Sequence, residues 1–420
     1  MNTKLSFLGA AVLLLTSACS EDSVELVNNG SEITFNTSIS RAMNLNQSNL
    51  ESFKVWAFSD ITDSAPFIKD EIVTKKGNNS YFSFDHSIFW PSDVETLKFW
   101  AIAPVSTPNI KQDGGKKLTI QNYTPKQNPL EQEDLIVANA TAQKSEGTSI
   151  NLQFRHALSQ IVVRASEGTD TDHSKNIQIK GAWIVNPAAS GTLSTNDAAT
   201  ELNWAASSTT KSYYGMEFSN VKTLSHTYSS IFDFDPKKDN IKNPQTNLLL
   251  IPQQLTAWAG TQDEQNLNKG AYILFLCRVE AIHDGELHEG GSDPAIKSED
   301  GKHIHQLFPD TKTFDEAQYG YTCVPIGTKW EPGKRYIYNL SFCGATSGAG
   351  IYPPEDILAK MPDGNGKYIK TRPVGEDGKE EKKVGDPVLD DPIRFTVTVN
   401  DWLDAGGSTD GWTEGNIGMN

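Results

Sequence analysis

The chain has 420 residues and a formal net charge of −16. This acidic balance argues against nucleic acid as a partner, because no concentration of basic residues is present to meet the phosphates. The length leaves room for two ordinary domains, each of roughly 50 to 250 residues, after an N-terminal leader.

The first residues are typical of a secretory signal peptide. Lys4 supplies a positive charge before an apolar run over 5–15, which is too short to span a bilayer stably. Small residues then lead to Cys19, as a lipoprotein signal peptidase requires. We therefore predict a signal peptide over 1–18 and a lipid anchor on Cys19, because several acyl chains on one residue attach stably to a membrane. The alternative is an ordinary signal peptide followed by an incidental cysteine.

The rest of the chain has the sequence pattern of β-structure. Short apolar runs are separated by clusters of Gly, Pro, Asn and Ser, and the first run alternates at Ile33, Phe35, Thr37 and Ile39. Strands are predicted at 33–39, 53–58, 81–84, 97–103, 135–138, 150–154, 161–165, 177–185, 248–251, 272–279, 336–342 and 393–399. Only one short turn of helix is predicted, near 354–360. The pattern predicts an all-β fold of antiparallel β-sandwiches.

Two long segments interrupt the strands. Residues 284–300 are rich in glycine and charge, and residues 344–391 combine mixed charge with few aromatic residues, which favours disorder in the second segment. The predicted organisation is a lipidated leader carrying the first strand over 19–41, an N-terminal domain over 42–157, a C-terminal domain over 158–402 and a tail over 403–420.

The cysteines do not form a disulfide framework. Cys277, Cys323 and Cys343 remain once Cys19 is acylated, and an odd number cannot be fully paired. Cys277 and Cys323 lie in apolar runs, which favours small buried side chains. One disulfide in an oxidising compartment stays open as an alternative.

Histidines are concentrated in one part of the chain, and we considered them as metal ligands. His303 and His305 would share one face of a strand, and His283 and His288 lie upstream. The segment resembles a loop insertion, and no further ligand lies at a fixed spacing. We therefore favour a solvated polar loop and predict no metal site and no cofactor.

No catalytic motif is recognisable. His156 follows Arg155 without a nucleophile nearby, and the carboxylates at 131–134 are typical of an acidic surface. The tryptophans could stack on sugars, but Trp56, Trp100 and Trp183 lie in apolar strands and are expected in the core. The sequence therefore predicts that the protein is not an enzyme.

Six short blocks follow one another along most of the chain. They are ITF with SRA at 33–42, FWP with LKFWA at 89–101, DLIVA at 134–138, FRHALSQI at 154–161, WEPGKRYIY at 330–338 and FTVTVNDW at 395–402. In this order they resemble the fimbrillin family of Bacteroides and its relatives, the subunits of type V pili. Residues 20–22, directly after Cys19, resemble the acidic tag that directs lipoproteins of that group to the outer face of the outer membrane. Thr16 departs from the commonest lipoprotein signal.

The resemblance implies two transthyretin-like β-sandwich domains in tandem and export as a lipoprotein of the outer membrane and cell surface. It also implies cleavage after Arg41, which would make Ala42 the new N-terminus and release the leading strand. Arg41 is the only Lys or Arg between Lys4 and Lys54. The implied partners are other fimbrillin subunits, joined by strand exchange in a fibre that serves adhesion to a host or bacterial surface.

Two questions stay open at this level. The main alternative function is a non-polymerising surface lipoprotein that binds glycans. The donor strand is either 393–399, which alternates like the leading strand, or the tail, whose large apolar residues are Leu403, Trp412, Ile417 and Met419. We favour the tail, because removing a core strand would unfold its own domain.

Overall fold

The structure is a computed structural model of the chain. It describes residues 32–39, 50–61, 65–77, 81–112, 115–169, 174–195, 201–232, 247–260, 270–284, 296–299, 301–375, 378–389 and 391–401.

The described residues form 23 strands and very little helix. The first nine strands are β1 (Thr34–Ile39), β2 (Ser52–Ser59), β3 (Ile68–Lys75), β4 (Tyr81–Phe84), β5 (Thr96–Ala103), β6 (Ile110–Gln112), β7 (Leu118–Tyr123), β8 (Ile136–Gln143) and β9 (Ser149–His156). The next seven are β10 (Ser159–Glu167), β11 (Ser174–Ala188), β12 (Gly191–Thr195), β13 (Leu202–Ala206), β14 (Lys211–Thr223), β15 (Ser229–Ser230) and β16 (Leu248–Leu250). The last seven are β17 (Tyr272–Asp284), β18 (Ile296–Glu299), β19 (Lys302–Phe308), β20 (Tyr319–Pro325), β21 (Lys334–Phe342), β22 (Tyr368–Ile369) and β23 (Arg394–Asp401).

The predicted all-β class is confirmed, and so is the short helical turn, which is α1 (Glu355–Leu358). Three 3₁₀ turns complete the helical structure of the described residues, at Pro129–Glu131, Lys144–Glu146 and Gly364–Gly366. Within the described ranges, no helix is long and apolar enough to cross a membrane.

Seven strands of the first half close into a barrel, in the order β1-β4-β3-β2-β5-β8-β9. Every pair is antiparallel except the pair of β1 and β9, which is parallel. The predicted antiparallel sandwich is not confirmed for this part of the chain: the sheet closes on itself, and one of its pairs is parallel. Alternation shows which face of a strand is buried, but it carries no information on the direction of the partner.

The remaining strands form three further sheets. One has the order β15-β10-β21-β23, with β16 also paired to β10, and a second has the order β14-β11-β17-β19-β18, with β20 on β17 and β22 on β20. The third, β13-β12-β7-β6, joins two strands from the part of the chain that forms the barrel to two strands that follow it. The pairs of β10 with β21 and of β20 with β22 are parallel, which are further departures from the antiparallel prediction.

Separate apolar cores hold these sheets. The barrel encloses one core, and a second combines side chains of β10 and β21 with side chains of β11 and β17. A third lies outside the barrel, where Trp56 and Trp100 of β2 and β5 meet Ile120 of β7 and Leu193 of β12. The sheet change falls between His156, the last residue of β9, and Ser159, the first of β10. The division into two domains stays a prediction.

The long segment over 344–391 is a correction to the sequence analysis, which favoured disorder there. Its described residues include α1 and β22, and Ile351, Ile357 and Met361 are buried in a core with strands β17 and β20. Gly385 has φ +87°, and a Cβ there would lie 1.7 Å from the carbonyl oxygen of Gly260. The buried apolar residues of this segment lie in turns and are therefore spaced irregularly. No sequence period predicts their burial. Residues 296–299, inside the other predicted loop, form β18.

Candidate functional site at the first strand

Strand β1 buries one complete face. Phe35, Thr37 and Ile39 are buried, as is Ile33 directly before the strand, whereas Asn36 and Ser38 are exposed. This is the alternation that the sequence predicted, and it follows from the period of two along an extended backbone. The buried face points into the barrel core, where Ile33, Phe35 and Ile39 belong to one apolar cluster.

Phe35 lies in the middle of an aromatic group. Its ring contacts those of Phe53, Phe84 and Phe99 edge-on, with centroids 6.0, 5.7 and 5.7 Å away. Edge-on aromatic pairs at such distances stabilise packing beyond the area that they bury. The three partner rings come from β2, β4 and β5, so Phe35 joins strands on opposite sides of the barrel.

The main partner of β1 is β9. Six consecutive register pairs join them, from Thr34 with Ser149 to Ile39 with Phe154. On its other side, β9 pairs with β8 at only two positions. The other neighbour of β1 is β4, paired at Phe35 with Phe82 and at the next position. Strand β1 is thus the element that closes the barrel, and we call the space that it fills between β4 and β9 the groove.

Most polar contacts of β1 are made by the backbone. The amide of Ile33 donates to the carbonyl oxygen of Ile88 at 2.8 Å. The amide of Thr34 donates to the carbonyl oxygen of Thr148 at 2.9 Å. The exposed Asn36 side chain donates to Ser149 Oγ at 3.0 Å and to Asn151 Oδ1 at 3.3 Å. Backbone contacts do not depend on the identity of the strand that makes them.

One side chain in the groove is imperfectly accommodated. Thr37 is buried with the apolar residues of β1, and its Oγ1 has no hydrogen-bond partner. A buried hydroxyl without a partner costs roughly 1 to 3 kcal/mol relative to a hydroxyl in water. The leading strand would therefore fit its groove better with an apolar residue in place of Thr37.

The other residues predicted to take part in maturation lie outside the described ranges. These are the lipidation residue Cys19, the cleavage pair Arg41 and Ala42, and the tail over 403–420. Arg41 follows Ile39, the last residue of β1, after one intervening residue.

The second candidate donor, β23, is an edge strand of its sheet. Among the described strands it pairs only with β21, in eight consecutive register pairs. Ile393 and Val397 are buried in the core of that sheet, and Phe395 and Val399 are partly buried against it. The run at 393–399 is thus part of the core in this structure.

The tryptophans do not form a sugar-binding face in the described part of the chain. Trp56, Trp90, Trp100, Trp183, Trp258 and Trp330 are all buried. Trp204 is half-buried, and its Nε1 donates to the carbonyl oxygen of Ala157 at 2.7 Å. The prediction that Trp56, Trp100 and Trp183 belong to the core is confirmed.

His156 has a partner that the sequence did not identify. Its Nδ1 lies 2.8 Å from Oδ2 of Asp134, which precedes β8, and both side chains are only 1% exposed. A substrate cannot reach so deeply buried a pair, so we interpret it as structural. Elsewhere, the structure brings His283, His303 and His305 together, although their sequence spacing indicated no common site.

The cysteines are thiols in the structure. Cys277, Cys323 and Cys343, all in the described part of the chain, are buried and not joined by a disulfide. Burial raises the pKa of the thiols of Cys277 and Cys323, because an apolar environment disfavours the thiolate.

The fold and this site define an all-β protein in which the first strand completes a barrel built from strands that follow it. A family model described as fimbrillin-like matches residues 40–273, which is more than half of the chain. The chain therefore belongs to the fimbrillin-like family, as the sequence blocks indicated.

Solved structures give more distant similarities. A fimbrial protein from Bacteroides vulgatus is 13% identical, with a TM-score of 0.45 over 88% of this chain and 99% of that chain. A proposed cell adhesion protein from Bacteroides uniformis is 11% identical, with a TM-score of 0.41 over 89% of this chain and 99% of that chain. A search of curated proteins found no significant match.

Proposed function

We propose that this protein is a structural subunit of a cell-surface pilus. It is exported as a lipoprotein anchored through Cys19 in the outer membrane, cleaved after Arg41 and polymerised by strand exchange with other fimbrillin subunits. The fibre serves adhesion to a host or bacterial surface. Membership of the fimbrillin-like family supports the general role. The sheets are proposed to correspond to two transthyretin-like domains in tandem, with the first built around the barrel.

The observation that carries this proposal is the position of β1 between β4 and β9. Loss of β1 would leave residues 149–154 of β9 without their only strand partner in the described structure, and would open the barrel. The groove would then expose backbone N–H and C=O groups beside apolar surface, and both are unfavourable in water. Reburial of side chains such as Ile33, Phe35 and Ile39 contributes on the order of 5 to 9 kcal/mol before ordering costs. An opened groove is therefore a strong acceptor for a strand from another subunit.

The donor is proposed to be the tail over 403–420. The burial of Ile393 and Val397 and the continuous pairing of β23 with β21 support this choice, because withdrawal of β23 would open the core of its own sheet. The buried tryptophans, for their part, weigh against the glycan-binding alternative among the described residues.

The test is maturation and assembly of Arg41 variants in the native host. The wild-type chain should yield a mature N-terminus at Ala42 and form fibres visible by electron microscopy. Arg41→Ala should stay uncut and monomeric, because no other Lys or Arg lies between Lys4 and Lys54. Arg41→Lys is the matched control: it retains the charge and separates an arginine-specific protease from one that accepts either base. Normal fibres from Arg41→Ala would overturn the proposal.

A further inference from the structure

Three histidines converge on one face of the seven-stranded sheet. His283 lies on β17, and His303 and His305 lie on β19. The antiparallel register places His283 directly opposite His303. Residues two apart on a strand project to the same side, so His305 joins the same face. The sequence places these histidines in one part of the chain, but only the pairing of β17 with β19 brings His283 to the other two.

The distances between the rings are short. One nitrogen from each of the three imidazoles lies within 4.8 Å of the others. Nε2 of His283 and Nε2 of His305 are 2.8 Å apart, and these two rings stack with centroids 4.8 Å apart and planes inclined by 23°. The His303 ring stands nearly edge-on to that of His283, with centroids 5.3 Å apart. The ligand atoms therefore surround a small common volume.

We propose that His283, His303 and His305 form a binding site for a borderline divalent cation such as Zn²⁺. In tetrahedral coordination with Zn–N bonds of about 2.0 to 2.1 Å, ligand nitrogens lie about 3.3 Å apart. The separations in the structure, from 2.8 Å between His283 and His305 to no more than 4.8 Å across the group, lie on either side of that value. An all-imidazole set favours zinc, copper or nickel over magnesium or calcium, which prefer oxygen ligands. Three protein ligands leave a fourth position for water or for a group from another molecule.

The supporting strands make the site rigid. Strand β17 is an interior strand that pairs with β11, β19 and β20, and ten of its residues in succession are buried. His303 is buried, whereas His283 and His305 are half-buried, so a cation enters from the side of the latter two. A bound cation would cross-link β17 to β19. This inference does not depend on polymerisation, because β17 and β19 belong to the seven-stranded sheet, whereas the groove strands belong to the barrel.

The alternative for this cluster is a purely structural group in which His283 and His305 share a hydrogen bond. The test uses the purified full chain in detergent, stripped with a chelator and dialysed. Zn²⁺ is then titrated by calorimetry, and Co²⁺ is added as a spectroscopic probe. One equivalent of Zn²⁺ should bind and raise the melting temperature. Co²⁺ should give the visible absorption of a tetrahedral site, and Zn²⁺ should displace it.

Three variants make the test specific. His305→Ala and His283→Ala, at half-buried positions, should each lose the one-equivalent binding while keeping the circular dichroism spectrum of the metal-free wild type. His226→Ala is the matched control, because its side chain is 65% exposed and lies on a different part of the fold. It should bind like the wild type. Absence of stoichiometric binding to the wild type, or unchanged binding in both His283→Ala and His305→Ala, would overturn the proposal.

Discussion

Thr37 of β1 lies in register with Leu152 of β9, and both side chains are buried. The Oγ1 atom of Thr37 has no hydrogen-bond partner there. Thr37→Val replaces the hydroxyl with a methyl group of similar size, and should therefore stabilise the uncleaved protein by about 1 kcal/mol. Urea unfolding of the two chains measures the change. Thr37→Ser, which keeps the hydroxyl and loses the methyl, should destabilise instead. A loss of stability in Thr37→Val would mean that the hydroxyl is satisfied.

Among the side chains of β1, Phe35 is expected to contribute most to the stability of the strand in its groove. Phe35→Ala removes a ring that contacts three other rings and should lower the free energy of unfolding by about 3 to 5 kcal/mol. Ser38→Ala, at an exposed position of the same strand, should change it by no more than about 0.5 kcal/mol. Equal effects of the two substitutions in denaturant unfolding would contradict the buried position of Phe35.

Cys19 is predicted to carry the lipid. Cys19→Ala should abolish labelling by a fatty-acid analogue in growing cells and should leave the precursor unprocessed. Cys277→Ala is the control, because that thiol is buried and should not affect labelling. Undiminished label on Cys19→Ala would place the lipid elsewhere or show that the chain carries none.

The tail is predicted to be the donor strand. Deletion of residues 404–420 should leave a folded protein that is still cleaved after Arg41 but forms no fibres, because β23 and its pairing with β21 end at Asp401. Size-exclusion chromatography and electron microscopy measure the result. Fibres of normal length from this truncation would eliminate the tail as donor, and a misfolded product would indicate a structural role.

The buried thiols are predicted to be unreactive. Because burial raises the pKa of Cys277 and Cys323, almost no thiolate is present at neutral pH. A maleimide reagent should leave both unmodified in the native chain and modify both in 6 M guanidinium, as mass spectrometry of the peptides would record. Rapid native labelling of either residue would show that its strand opens to solvent.

Strand β1 shows what the alternation of side chains along one segment can and cannot predict. The alternation of Ile33, Phe35, Thr37 and Ile39 correctly predicted which side chains are buried. It could not predict that the strand lies parallel to β9, since that partner follows more than a hundred residues later. Strands β3, β7 and β14 are among those that the sequence did not predict, because their side chains do not give a clear apolar alternation.

For the segment over 344–391, the sequence predicts less structure than the folded chain contains. Its charge suggested disorder, but Ile351, Ile357 and Met361 fill a core formed by strands distant in the sequence. Irregularly spaced buried residues give no periodic signal, so the charged composition alone indicates disorder.

The sequence by itself therefore determined the β class, the positions of most long apolar strands, the buried face of β1 and the family. The tertiary structure alone decided which strands pair, that the barrel closes through β1, and that three histidines meet across β17 and β19. The physical reason is the range of each effect. Side-chain alternation arises from the geometry of one extended backbone, whereas pairing and convergence depend on contacts between segments that only the folded chain brings together.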